Sequence, residues 1–160
     1  METVPAQDLD SQGRILAIDF GLVRMGLAVS DALGLTAQGL STLVRTNKEA
    51  DFRHLEGLAA EYAVVGVIVG HPISHAGEET EMSRRVVRFA QELRARLALP
   101  VDLWDERMTS LEADRSLRES NLGGKKRRQA RDRVAAQILL QSYLDRRHHQ
   151  RGRQRQPLEA

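Results

Sequence analysis

Apolar positions form short runs in the first half of the chain and fall at helical spacing in the second. Residues 14–20 (RILAIDF) and 23–30 (VRMGLAVS) are two such runs with Gly21 between them, predicting a β-hairpin whose turn uses glycine's conformational freedom. A third strand is expected in LTAQGLSTLVR, ending near Arg45. Phe52, Leu55, Leu58 and Ala59 then recur at helical spacing, so a helix is expected from Lys48 to Tyr62. Residues 63–70 (AVVGVIVG) are short and continuously apolar, as in a strand buried on both faces. A helix from Thr80 to Leu97 follows on Val86, Val87, Ala90, Leu93 and Leu97, and VDLWD at 101–105 reads as the last strand. Thr109 and Glu112 have the spacing of a capping box for a further helix. SNLGGKKRRQA lacks helical periodicity and reads as a loop. The final helix is expected from Ala130 or Asp132 to Arg146, apolar on several sides and therefore buried.

This order predicts an α/β fold: a mixed five-stranded sheet, antiparallel at the hairpin and parallel at the βαβ crossovers, with helices on both faces. The length of 160 residues suits one domain, placed at 14–147. Residues 1–13 are polar and acidic, unlike a signal or transit peptide, and with the basic residues 148–160 they are expected to be disordered. No apolar run approaches the ~20 residues of a membrane helix, so no membrane partner is expected. Cysteine is absent, which excludes disulfides, thiolate metal sites and a cysteine nucleophile, and fits a reducing cytoplasm. Charge is lopsided. Residues 1–122 carry 13 Lys and Arg against 19 Asp and Glu, whereas residues 123–160 carry 11 against 3. An acidic body with a basic end points to a polyanionic partner.

The predicted topology gathers acids on one edge. Strands 14–20, 63–70 and 101–105 should run parallel, so their carboxyl ends bring Asp19, the loop opening at His71-Pro72, and Asp105-Glu106 together, where ligands of open α/β sheets bind. Asp132 closes the group from the last helix, although the same position also suits a helix N-cap. Asp31 ends the antiparallel strand about six residues away, roughly 20 Å, and reads as a turn residue. Asp105 is read as a strand-end turn residue, His71 and His75 as loop histidines and Trp104 as core. Converging carboxylates repel unless a cation offsets them, and hard oxygen ligands select Mg²⁺ or Mn²⁺. Two such ions clamp the attacking and leaving oxygens of a phosphodiester displacement. Lys125, Lys126, Arg127 and Arg128 in GGKKRR supply the cationic rim that a nucleic acid needs beside Asp132.

Four segments in order, AIDFGLVRMGLAVSD, VVGVIVGHP, DERMTSLEA and RDRVAAQILLQSYLD, resemble the YqgF/RuvX family. The resemblance spans roughly residues 14–145 and implies a ribonuclease-H-like fold. It also implies a nuclease for the 5′ end of precursor 16S ribosomal RNA, in a family first described as Holliday junction resolvases, with structured RNA or branched DNA as partner. By position it carries the family's three acids onto Asp19, Glu106 and Asp132. This chain departs from the family pattern in having Leu22 and Val23 where a small hydroxyl residue and a lysine are usual, and His71 before Pro72 where leucine is usual. Two other classes compete: an actin-like sugar kinase or ATPase, whose phosphate loop shares the Asp-x-Gly hairpin, and a non-catalytic RNA-binding ribosome-assembly factor.

Overall fold

The computed structural model describes residues 12–74, 76–109 and 124–154. The hairpin forms as β1 (Arg14–Asp19) and β2 (Arg24–Ser30), paired antiparallel with Asp19 opposite Gly26. Gly21 keeps a negative φ; what its turn requires is space, since a Cβ there would lie 2.2 Å from the Arg24 carbonyl oxygen. The expected third strand is broken into β3 (Ala37–Gly39) and β4 (Leu43–Val44), both paired with β2. Three residues, Leu40 to Thr42, stand against Gly26 and Leu27, so the break is a β-bulge with one extra residue.

Helix α1 (Lys48–Glu61) is capped by Asn47, whose side chain accepts from the Ala50 amide at 2.9 Å. β5 (Val64–His71) pairs parallel to β1, and α2 (Glu81–Leu97) leads to β6 (Val101–Asp105), parallel to β5. Thr80 and Ser83 close a capping box at the start of α2. A 3₁₀ turn (Glu106–Met108) ends β6. The sheet runs β3-β2-β1-β5-β6, mixed as expected, and with β4 also paired to β2 it has six strands where five were expected, because the third strand is broken in two.

Two cores lie on opposite faces because β1, β2 and β5 are apolar on both. Leu16, Ile18, Met25, Leu27, Val29, Val67 and Val69 pack under α1 and α2. Ile15, Ala17, Ala28 and Ile68 pack under the last helix, α3 (Gly124–Gln154), against Ala136, Leu139, Leu140, Tyr143 and Leu144. Where α3 crosses β2 and β3 the sheet presents Gly26, Ala28 and Gly39, so this helix sits close. A Cβ on Gly26 would fall 2.2 Å from the Asp132 carbonyl oxygen.

The extent of α3 corrects the sequence reading. Residues 124–130 are helical rather than a loop, and the helix continues past Arg146 to Gln154. Apolar periodicity marks only the buried middle of α3. Its first turns overhang the core, where Lys, Arg, Gln and Ala sustain a helix by intrinsic preference while residues 124–128 stay exposed. Its last turns hold only polar residues against Gln12, Gly13, Leu33 and Gly34, which leave no apolar period. The helix expected after Thr109, with Glu112, lies outside the described residues, as do 1–11 and 155–160.

Candidate active site

Strand alternation decides which side chains meet. In β1, Ile15 and Ala17 face α3, and Asp19 continues that parity, whereas Phe20 turns to the other face and packs on Phe89 with ring centroids 4.9 Å apart. The backbone after Asp19 is tied down by Arg45, whose Nη1 donates to the Gly21 carbonyl at 3.0 Å while its Nε pairs with Asp51 at 3.1 Å. Asp105 faces outward, accepting from the Arg107 amide and guanidinium, which hold its carboxyl below the usual carboxylate range. It is the turn residue expected. Glu106, one residue on, lies over Gly70, where an added Cβ would stand 2.4 Å from Glu106 Oε1. Asp31 likewise serves a turn, accepting from the Leu35 and Thr36 amides at 2.7 and 3.0 Å.

Asp19 and Glu106 meet and share a hydrogen bond. Burial pushes the Glu106 carboxyl up to about 8, and the hydrogen bond and charge of Asp19 push in the same direction, so Glu106 donates and Asp19 accepts. Burial also raises Asp19, as does the nearby charge of Asp132, while the hydrogen bond from Glu106 and the charge of Arg131 act oppositely.

Asp132 reaches this pair from the third turn of α3, not from a cap, because the helix begins eight residues earlier. Its Oδ2 accepts from Arg24 Nε at 2.8 Å. Among the described residues no three acidic or histidine side chains converge tightly enough to enclose one ion. Asp19 and Glu106 form the close pair, and Asp132 stands beside it, held by Arg24. Lys125, Lys126, Arg127 and Arg128 occupy the first turns of α3 and are all exposed. His71 ends β5 opposite Asp105, and burial lowers its pKa. His75 lies outside the described residues. Trp104 is partly buried against Tyr143.

Sequence reasoning misses Arg24 and Arg131. For Arg24 a signal exists: it has the parity of Gly26, which pairs with Asp19, so it projects on the face of the acids.

The pattern of matches to known proteins agrees with the four motif segments. A family model described as a Holliday junction resolvase, RuvX, matches residues 13–146. Proteins of Koribacter versatilis and Syntrophus aciditrophicus, each named "Putative pre-16S rRNA nuclease", are 48% and 43% identical to this chain. Those matches cover 84% and 82% of the chain and 88% of each relative. A solved structure of Thermus thermophilus RuvC in complex with a Holliday junction substrate has TM-score 0.56 at 14% identity, over 86% of this chain and 96% of that one. That likeness is one of fold, and it is the ribonuclease-H-like arrangement expected. With a family model spanning nearly the whole domain and relatives this similar, the chain belongs to the RuvX family.

Proposed function

We propose that this protein is a metal-dependent nuclease that hydrolyses phosphodiester bonds, acting on the 5′ end of precursor 16S ribosomal RNA. The observation that carries the reading is the half-buried Asp19–Glu106 pair. Two carboxyls forced to share a proton, with a third acid beside them, form a site whose repulsion a hard cation relieves. Asp19 and Glu106 are the residues that would hold Mg²⁺ or Mn²⁺, with Asp132 joining from α3. A bound divalent ion supplies Lewis acidity to the phosphate and a water acidified enough to attack.

The chain's own groups define the rest. Asp19 is fixed by its strand and by the hydrogen bond from Glu106. Glu106 keeps a proton at neutral pH in the ion-free site and gives it up when cation charge replaces it. Arg131 lowers the charge density around Asp19, and the exposed basic start of α3 attracts phosphates. The names of the relatives support RNA as substrate. The description of the family model supports a branched DNA junction as the second reading. A non-catalytic assembly factor would leave the Asp19–Glu106 pair without a purpose, because facing carboxyls partly withdrawn from water cost stability.

The test compares the purified protein with Asp19→Asn on precursor rRNA, branched DNA and single strands in the presence of Mn²⁺. Cleavage by the variant should fall about a hundredfold or more, since an ion's clamp is worth several kcal/mol and each 1.36 kcal/mol is about tenfold in rate. Circular dichroism should show an unchanged fold. Undiminished cleavage by the variant would sink the assignment, and the substrate cut fastest decides between RNA and junction.

A further inference from the structure

Arg24 is the arginine that pairs with Asp132, and it comes from the sheet and not from the basic start of α3. It projects from β2 two residues before Gly26, the point where α3 presses its Asp132 carbonyl onto the strand. Close docking there brings Asp132 within reach, and the Arg24 Nε to Asp132 Oδ2 bond of 2.8 Å is the result. The pair is half-sheltered, with the side chains 29% and 19% exposed, so solvent screens it less than a surface ion pair. Only Nε is used. Within the described residues the two terminal NH₂ groups of Arg24 make no hydrogen bond, and Asp132 Oδ1 accepts none. A guanidinium with its fork unused is built for bidentate capture of a phosphate. A carboxylate with one free oxygen is built to ligate.

We propose that Arg24 is a placeholder cation that neutralises Asp132 in the free protein and releases it to the divalent ion when a substrate phosphate takes the guanidinium. The inference rests on the metal-nuclease reading and deepens it: ion binding and nucleic-acid binding become coupled through one arginine. Without substrate, Arg24 and the ion compete for Asp132, which keeps a hydrolytic site incompletely assembled. With substrate, a phosphate draws the arginine away, and each ligand strengthens the other's hold. Arg24 is thus a positioning residue, and its effect should appear in binding as well as in rate.

Two binding measurements test this. Mn²⁺ affinity, read by calorimetry without nucleic acid, should rise about tenfold in Arg24→Gln, the factor expected for releasing a charge-assisted hydrogen bond. The gain should vanish in Arg24→Gln combined with Asp132→Asn. Second, Asp132→Asn alone should tighten binding of a fluorescent 20-nucleotide RNA in metal-free buffer by several-fold, because it frees the guanidinium. This variant retains Arg24, so it stands even if Arg24→Gln folds poorly. Mn²⁺ bound no more tightly by folded Arg24→Gln would overturn the inference while leaving the nuclease reading intact. So would RNA affinity unchanged by Asp132→Asn. If neither wild type nor Arg24→Gln binds Mn²⁺ at millimolar concentration, both fall.

Discussion

A carboxyl that is partly withdrawn from water and faces another acid keeps its proton, and Glu106 does so up to about pH 8. In the unfolded chain it loses that proton near 4.5. The folded state therefore binds a proton that the unfolded state lacks across this window. Glu106 thus contributes stability that is complete below about pH 4.5 and is lost as pH rises through about 8. Asp19, also raised, acts with the same sign from its own lower ordinary value. His71 acts oppositely: burial lowers its pKa, so its contribution is lost as pH falls through and below its usual 6.5. The metal-free protein should therefore lose on the order of 5–10 °C of melting temperature between about pH 5 and pH 9, and Glu106→Gln should flatten that slope. Equal slopes in both proteins would show that the shared proton does not govern stability. Mn²⁺ should reduce the same loss, since it takes the proton's place.

Between elements, the close approach of α3 to β2 sets where Asp132 stands. Two glycines along this seam make unequal predictions. Gly26→Ala drives a Cβ into the backbone carbonyl of Asp132, which cannot move without the helix, and should cost about 1–3 kcal/mol while weakening Mn²⁺ binding. Gly39→Ala meets first the Arg133 stem, 2.3 Å from Cγ and 2.9 Å from Cδ, with the Arg133 carbonyl oxygen in ordinary contact at 3.4 Å. The exposed side chain can yield by changing rotamer, so the change should cost about 0.5–1.5 kcal/mol, less than Gly26→Ala. Denaturant unfolding of the two variants measures the contrast. Equal stabilities would mean that α3 shifts freely over the sheet and does not register Asp132.

For the molecule as a whole, α3 carries the basic charge past the acidic sheet edge. Gly124 lies eight residues, about 12 Å, ahead of Asp132 along the helix. Lys125 and Arg128 share the face of Asp132 by i, i+3 and i+7 spacing, whereas Lys126 and Arg127 point elsewhere. The pair Lys125→Ala/Arg128→Ala should thus weaken nucleic-acid binding and lower its log–log salt slope by about 0.7–0.9 for each phosphate no longer neutralised. The pair Lys126→Ala/Arg127→Ala should change the slope less. Indistinguishable slopes from anisotropy titrations across salt would mean that the cluster acts as diffuse charge without a preferred face.

By itself the sequence determined whatever depends on local pattern. The apolar runs at 14–20, 23–30, 63–70 and 101–105 and the helical spacing at 48–62 and 80–97 placed these elements within a residue or two, because burial imposes their periods. The parallel order of β1, β5 and β6 then made it legible that Asp19 and Glu106 share an edge. Tertiary structure decided what no local period encodes. The solvated ends of α3 bury too little to leave a pattern, so the helix is longer than its apolar centre and Asp132 is an interior residue rather than a cap. The bulge between β3 and β4 depends on pairing with β2 and not on composition. The ion pair that holds Asp132 joins residues 108 positions apart, and only the pressing of α3 onto Gly26 brings Arg24 to it.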